Sequence, residues 1–233
     1  MARRLSVLVT RPMPGAERTA RAIREHGHDA HLLPLTTISG LDADLPPAEG
    51  FDAVILTSAN AIRHLPKAKA SGLRHLPVWT VGSATANAAR DRGFTHAEAL
   101  GGDAETLTDT LIDRAPQRLL YLAGRVRRKH IEERLRQVGM EIVTREIYDT
   151  REKNIPDTDL NNLRAIPIDV VLLTSTLAAR LFRALTEKER LGENAVRLCF
   201  SRRIADEAGG TCEIARNATE QAALTLLDEI ARR

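Results

Sequence analysis

An eight-residue pattern recurs in this chain and sets the strongest limit on its fold. Phe51-Asp52-Ala53-Val54-Ile55-Leu56-Thr57-Ser58 lines up with Ile168-Asp169-Val170-Val171-Leu172-Leu173-Thr174-Ser175, an offset of 117 residues. Gly27, which closes a helical pattern at His26, matches Gly139, and Leu32 to Thr36 matches Ile142 to Glu146. One apolar strand can resemble another, but a matched series of strand, helix, strand and Thr-Ser junction indicates duplication. The period is too long for a solenoid. A chain of 233 residues can give two lobes of ordinary size, each burying a core of its own.

The elements alternate. Leu5 to Val9 reads as a buried-type strand, and Pro14 suits the first turn of a helix closed by Gly27. Ala30 to Leu35 and Ala53 to Leu56 are strands on either side of a polar Asp/Pro loop (41–50), followed by a helix from Asn60. Val78 to Val81 is a strand, Ser83 to about Asp91 a helix, and 103–114 a helix with Asp103 as N-cap. The pattern then restarts. Leu119 to Leu122 is a strand, 127–138 a helix and Glu141 to Tyr148 extended, before a polar linker over 151–160. Asp169 to Leu173, a helix over 176–186, Val196 to Phe200, a helical Ile204 to Ala208 and a helix over 218–231 complete the chain. Strands alternating with helices imply parallel sheets covered on both faces, an α/β class.

Composition removes several functions. Aromatics are 3% of the residues, too few for a single-stranded nucleic-acid platform that stacks bases on rings. The Leu5 to Val9 run is too short for a signal-peptide core, and no stretch approaches a membrane span. Two cysteines, Cys199 and Cys212, fit neither a CxxC motif nor a disulfide framework. A cytoplasmic location is expected, with no nucleic-acid or membrane partner. There is no GxGxxG and no GxxxxGK[ST], which weakens a nucleotide-using enzyme. His26, His28 and His31 read as surface histidines rather than metal ligands, so no metal site is expected. No Ser/His/Asp or Cys/His set stands at a strand end.

In open α/β sheets, ligands bind beyond the carboxyl ends of the strands, where helix N-termini present free N–H groups. The residues there are Thr10-Arg11, Thr57-Ser58-Ala59-Asn60, Gly82-Ser83-Ala84-Thr85, Ala123-Gly124-Arg125, Thr174-Ser175-Thr176 and Ser201-Arg202-Arg203. Small residues admit a ligand to the backbone and hydroxyls add donors, although Ser, Thr and Asn are also ordinary helix caps. Arg125, Arg127, Arg128, Lys129 and His130 crowd one helix start, and Arg202 and Arg203 another. Cations are mildly unfavourable there, by roughly 0.3–1 kcal/mol each. Either they point into solvent or a bound polyanion reverses the sign. The polyanion is the better account.

These residues carry a resemblance. Val9-Thr10-Arg11-Pro12, Leu56-Thr57-Ser58-Ala59-Asn60-Ala61, Val81-Gly82-Ser83-Ala84-Thr85-Ala86, Ile147-Tyr148-Asp149-Thr150 and Leu173-Thr174-Ser175-Thr176 follow, in order, the pattern of the uroporphyrinogen-III synthase family. The resemblance implies two flavodoxin-like, doubly wound lobes joined by two antiparallel linker strands. Residues 1–34 with 151–233 would form one lobe and 40–144 the other, with 35–39 and 145–150 as linkers. It implies closure of hydroxymethylbilane, a linear tetrapyrrole with eight carboxylates, to uroporphyrinogen III with inversion of ring D in an inter-lobe cleft. No metal or cofactor would be needed. Tyr148 would assist departure of the hydroxyl. Thr10, Arg11, Ser58, Asn60, Ala61, Gly82, Ser83, Thr85, Arg125, Ser175, Thr176 and Arg202 would bind substrate. A monomer with transient contact to hydroxymethylbilane synthase is expected. The late junction Phe200-Ser201-Arg202-Arg203 departs from the family's Gly/Thr-rich pattern. The competing class is a non-catalytic cytosolic sensor of a small polyanion, since two lobes on a hinge also suit a receptor.

Overall fold

The computed structural model describes residues 3–233. In chain order the first elements are β1 (Ser6–Val9), α1 (Gly15–Glu25), β2 (Asp29–Leu32), β3 (Thr36–Gly40), β4 (Ala53–Leu56), α2 (Ala59–His64), α3 (Lys67–Ser71), β5 (Val78–Thr80), α4 (Ser83–Arg90) and β6 (Ala97–Ala99). They are followed by α5 (Ala104–Arg114), β7 (Arg118–Gly124), α6 (His130–Gln137), β8 (Glu141–Glu152), α7 (Asp157–Arg164), β9 (Val170–Leu173), α8 (Thr176–Glu189), β10 (Val196–Cys199), α9 (Arg202–Ala208), β11 (Cys212–Ile214) and α10 (Glu220–Ala231). The chain forms two compact units: residues up to Thr37 together with Arg151–Arg233, and Ile38–Thr150.

The first unit holds a parallel sheet ordered β2-β1-β9-β10-β11. The second orders its parallel strands β8-β7-β4-β5-β6, with β3 beside β8. The two orders superimpose when β7 and β8 take the places of β1 and β2, and β4, β5 and β6 those of β9, β10 and β11. The duplication therefore survives in space as a circular permutation. Register agrees with it, since Val9 pairs Leu172 in one unit and Tyr121 pairs Ile55 in the other. Gly27 and Gly139 close the equivalent helices with the same positive φ of 85°. A Cβ is strained in that conformation.

Each sheet is covered on both faces. In the second unit Val54, Leu56, Leu120 and Leu122 pack under α2, α3 and α4, while Ala53, Ile55, Leu119 and Tyr121 pack under α5 and α6. In the first, Val7 and Val9 meet α1 and α10, while Leu8, Val171 and Leu173 meet α7, α8 and α9. Burial on both sides is why the central strands read as unbroken apolar runs. Along β3 and β8 the Leu41 N–H donates to the Ile147 carbonyl at 2.8 Å, and the Lys153 N–H to the Leu35 carbonyl at 2.9 Å. One strand thus advances as its partner recedes, which is an antiparallel ladder. Among the described residues no helix is long and apolar enough to cross a membrane.

Several elements differ from the sequence expectation. The stretch read as a polar linker contains α7, whose Asp157 and Asp159 complement its N-terminus and whose Leu160 and Leu163 are buried. The edge strands β6 and β11 are additions to it, because three residues show no period. Helix α6 starts at His130 rather than at 127, since Arg127 folds back to donate to the Gly124 carbonyl at 3.0 Å.

Candidate functional site at the strand ends

The second unit has its reversal of strand order between β7 and β4, which in open α/β sheets opens a crevice at the carboxyl ends. Two side chains meet across it. The Tyr121 hydroxyl from β7 and the Thr57 hydroxyl just beyond β4 lie 2.9 Å apart. Tyr121 is only 2% exposed. Burial pushes its phenol up to about 12, with Glu132 and Tyr148 adding to the rise and the Thr57 hydrogen bond and Arg127 opposing it. A cavity of 550 Å³ opens here, lined by Thr57, Asp103, Ala104, Glu105, Tyr121, Arg127, Arg128, His130 and Ile131.

Tyr148 comes to the same edge by way of a β-bulge. Ala123 pairs Glu146, but Gly124 pairs Tyr148, so Ile147 is the extra residue of β8. A bulge re-aims the side chain that follows it. Ile147 is buried in the core, and the Tyr148 ring lies over Gly124. A Cβ at position 124 would stand 2.6 Å from the ring Cζ and 2.8 Å from the hydroxyl, so only glycine leaves room. Burial raises the Tyr148 phenol, against a hydrogen bond with Ser58 and the charge of Arg127. The His64 ring lies 6.4 Å away, and its basicity is lowered by burial and by Arg63. The edge therefore holds two protonated phenols, which donate hydrogen bonds and do not act as bases.

A charge network frames them. Arg127 donates to Glu132 at 2.7 Å and Glu146 at 3.0 Å. Arg125 donates to Glu146 at 3.0 Å and approaches Asp149 at 3.5 Å. Arg125 and Arg127 together hold the Glu146 carboxyl below its usual range. The cations expected to crowd a bare helix start are thus partly answered by the protein's own carboxylates, Glu132 among them in the first turn of α6. Glu132 is 2% exposed and its Oε2 has no hydrogen-bond partner among the described residues.

Of the residues singled out in the sequence, Tyr148, Ser58 and Arg125 gather at this edge. Ser58 caps α2, accepting from the Asn60 N–H at 3.2 Å, and the Asn60 side chain accepts from Arg63. Ala61 lies in the core beneath. Gly82 caps α4, Ser83 is exposed and Thr85 buried in its first turn. The first unit holds the others at its own strand ends. The Thr10 hydroxyl is buried and donates to the Leu172 carbonyl at 2.8 Å. Arg11 donates to Thr19 at 3.0 Å and Glu220 at 3.3 Å. Ser175 caps α8, accepting from the Ala178 N–H, with Thr176 next to it. Arg202 pairs with Asp206 on the exposed face of α9. Sequence reasoning misses Tyr121 and Glu132. The available signal is the scarcity of tyrosine, since the chain has two and both point to one edge.

Two permuted copies of a flavodoxin-like unit, with phenols, hydroxyls and arginines at the strand ends, define a duplicated α/β protein suited to an anionic organic ligand. The family model described as "HEM4: Uroporphyrinogen-III synthase HemD" matches residues 17–224. The chain belongs to the uroporphyrinogen-III synthase family, whose members cyclise hydroxymethylbilane in heme biosynthesis, and that is the enzyme activity this membership assigns. The fold is similar to the crystal structure of uroporphyrinogen-III synthetase from Helicobacter pylori, with TM-score 0.68 and 20% identity, covering 97% of this chain and 99% of that one. It is also similar to a mutant uroporphyrinogen III synthase from the extremely thermophilic bacterium Thermus thermophilus, with TM-score 0.56 and 14% identity, covering 98% and 99%. No curated protein sequence matches the chain.

Proposed function

We propose that this chain closes hydroxymethylbilane to uroporphyrinogen III with inversion of ring D, and that Tyr148 is its catalytic residue. The observation that carries the reading is the protonated Tyr148 phenol, aimed by the bulge at Ile147 and seated over Gly124. Loss of the bilane's hydroxyl together with the N–H proton of the same ring, as water, leaves an electrophilic azafulvene. A phenol that donates a hydrogen bond to that oxygen stabilises the charge growing on it as the carbon–oxygen bond breaks. Ring D then attacks through its substituted carbon, giving a spiro intermediate that reopens and recloses in the inverted order. The protein's remaining task is to hold the chain in a reactive fold.

The carboxylates of the substrate need donors, and both units offer them at their strand ends. Ser58, Asn60, Gly82, Ser83, Thr85 and Arg125 would serve from one unit, with Ala61 supporting the turn. Ser175, Thr176 and Arg202 would serve from the other, where Thr10 and Arg11 brace the end of β1. We assign residues 35–39 and 145–150 as linkers between lobes formed by 1–34 with 151–233 and by 40–144. The protein would work as a cytoplasmic monomer that receives its unstable substrate through transient contact with hydroxymethylbilane synthase.

Tyr148→Phe tests the central assignment. It is expected to slow ring closure about tenfold or more, the loss of one donor to a developing oxyanion. Unchanged turnover in a folded variant would remove Tyr148 from the mechanism.

A further inference from the structure

We propose that the 550 Å³ cavity of the second unit takes one acidic pyrrole ring of the tetrapyrrole, holding its carboxylate with Arg128 and His130 and its polar edge with the Tyr121–Thr57 hydroxyl pair. This rests on the reading of the chain as a hydroxymethylbilane-closing enzyme and adds residues that reading did not use.

The first argument is the difference between the two copies. Tyr121 and Val9 occupy equivalent positions, paired with the equivalent residues Ile55 and Leu172. Where the second unit carries a phenol, the first carries an aliphatic side chain in its core. At the corresponding helix starts of the first unit the Thr19 and Glu220 side chains are hydrogen-bonded to each other. Arg11 is tied to both. The two copies thus differ at these positions: Arg11, Thr19 and Glu220 tie the helix starts together in the first unit, and a cavity lies beside them in the second. That cavity is lined by the buried Tyr121 phenol, which meets the half-buried Thr57 hydroxyl, and burial of such a group is costly unless it is hydrogen-bonded.

The second argument is charge. Arg127 is answered by Glu132 and Glu146. Arg128 and His130 are exposed on the cavity rim and form no hydrogen bond or ion pair among the described residues. Of the two acids on the rim, Asp103 is occupied as the cap of α5, accepting from the Thr106 N–H at 2.8 Å. Asp103 keeps its negative charge as a cap, and with Glu105 it balances the cations of the rim, so the cavity suits a single carboxylate held by Arg128 and His130 and not a dianionic phosphate. Ile131 and Ala104 offer apolar wall for a ring and its methylene stems. The volume lies within the range of pockets that enclose small organic ligands.

The test is anaerobic calorimetric titration of the whole protein with uroporphyrinogen III, set beside steady-state kinetics with hydroxymethylbilane. Arg128→Gln/His130→Gln is expected to weaken uroporphyrinogen III binding and raise KM at least about tenfold, or roughly 1.4 kcal/mol, with isomer III still the product. Tyr121→Phe is expected to weaken binding severalfold, and its far-ultraviolet circular dichroism should match the wild type. Binding and KM unchanged in the Arg128/His130 variant would overturn the assignment, even if isomer III is formed. If the wild type binds but forms no isomer III, and the variant binds about tenfold less, the subsite stands and the enzymatic reading falls.

Discussion

A single methyl group probes how Tyr148 is held. Gly124→Ala would place a Cβ within 2.6 Å of the ring, and overpacking of this kind costs about 1–3 kcal/mol. Thermal unfolding should show that loss, and ring closure should slow as it does in Tyr148→Phe. Wild-type stability and rate together would mean that the ring is not seated as described. Tyr121 carries a different signature. Its phenol is pushed up to about 12 from an ordinary value of 10. Below pH 10 the folded and unfolded states are both neutral and the stabilisation is complete. Between about 10 and 12 the unfolded phenol ionises first, so roughly 2–3 kcal/mol drains away as pH rises. Denaturant unfolding of wild type and Tyr121→Phe across this window should show the difference in slope, and parallel curves would contradict the burial assigned to Tyr121. Tyr148 was legible because it lies in a motif of the family. Tyr121 was not, because inside Leu119-Leu120-Tyr121-Leu122 a phenol reads as one more apolar residue of a buried strand.

Among the elements, the turn from β4 into α2 serves both stability and chemistry. Ser58 caps the helix and also stands near the Tyr148 phenol, where it opposes the rise that burial causes. Ser58→Ala should therefore cost about 1 kcal/mol in unfolding and also lower the rate of ring closure. A loss of stability alone would reduce Ser58 to a cap. The central strands and most helices were readable because burial on both faces leaves apolar runs, and Ser, Asp and Gly mark the helix ends. The bulge at Ile147 was not, since an extra residue in an extended strand leaves no trace in an apolar pattern. Nor was the start of α6, where Arg127 bonds backwards to the Gly124 carbonyl in place of extending the helix. Helix α7 carried a readable signal in Asp157, Asp159, Leu160 and Leu163, masked by the polar residues around it.

At the scale of the whole molecule, the repeat at an offset of 117 residues announced two similar α/β units, and the parallel strands of the two sheets correspond once one copy is permuted. That the second copy is circularly permuted could not be read from the repeat itself, because periodicity in sequence is silent about which strands become neighbours. The difference between the two copies at these helix starts was hidden for a related reason. It depends on how Arg11, Thr19 and Glu220 pack in one copy and Tyr121 and Thr57 in the other. The measurement that bears most directly on function is an isomer assay. Hydroxymethylbilane is generated in place by its own synthase, the chain is added, and the uroporphyrins obtained after oxidation are separated. Unassisted closure gives isomer I. Isomer III as the main product is the expected result, and isomer I alone from folded protein would contradict the ring inversion proposed for this chain.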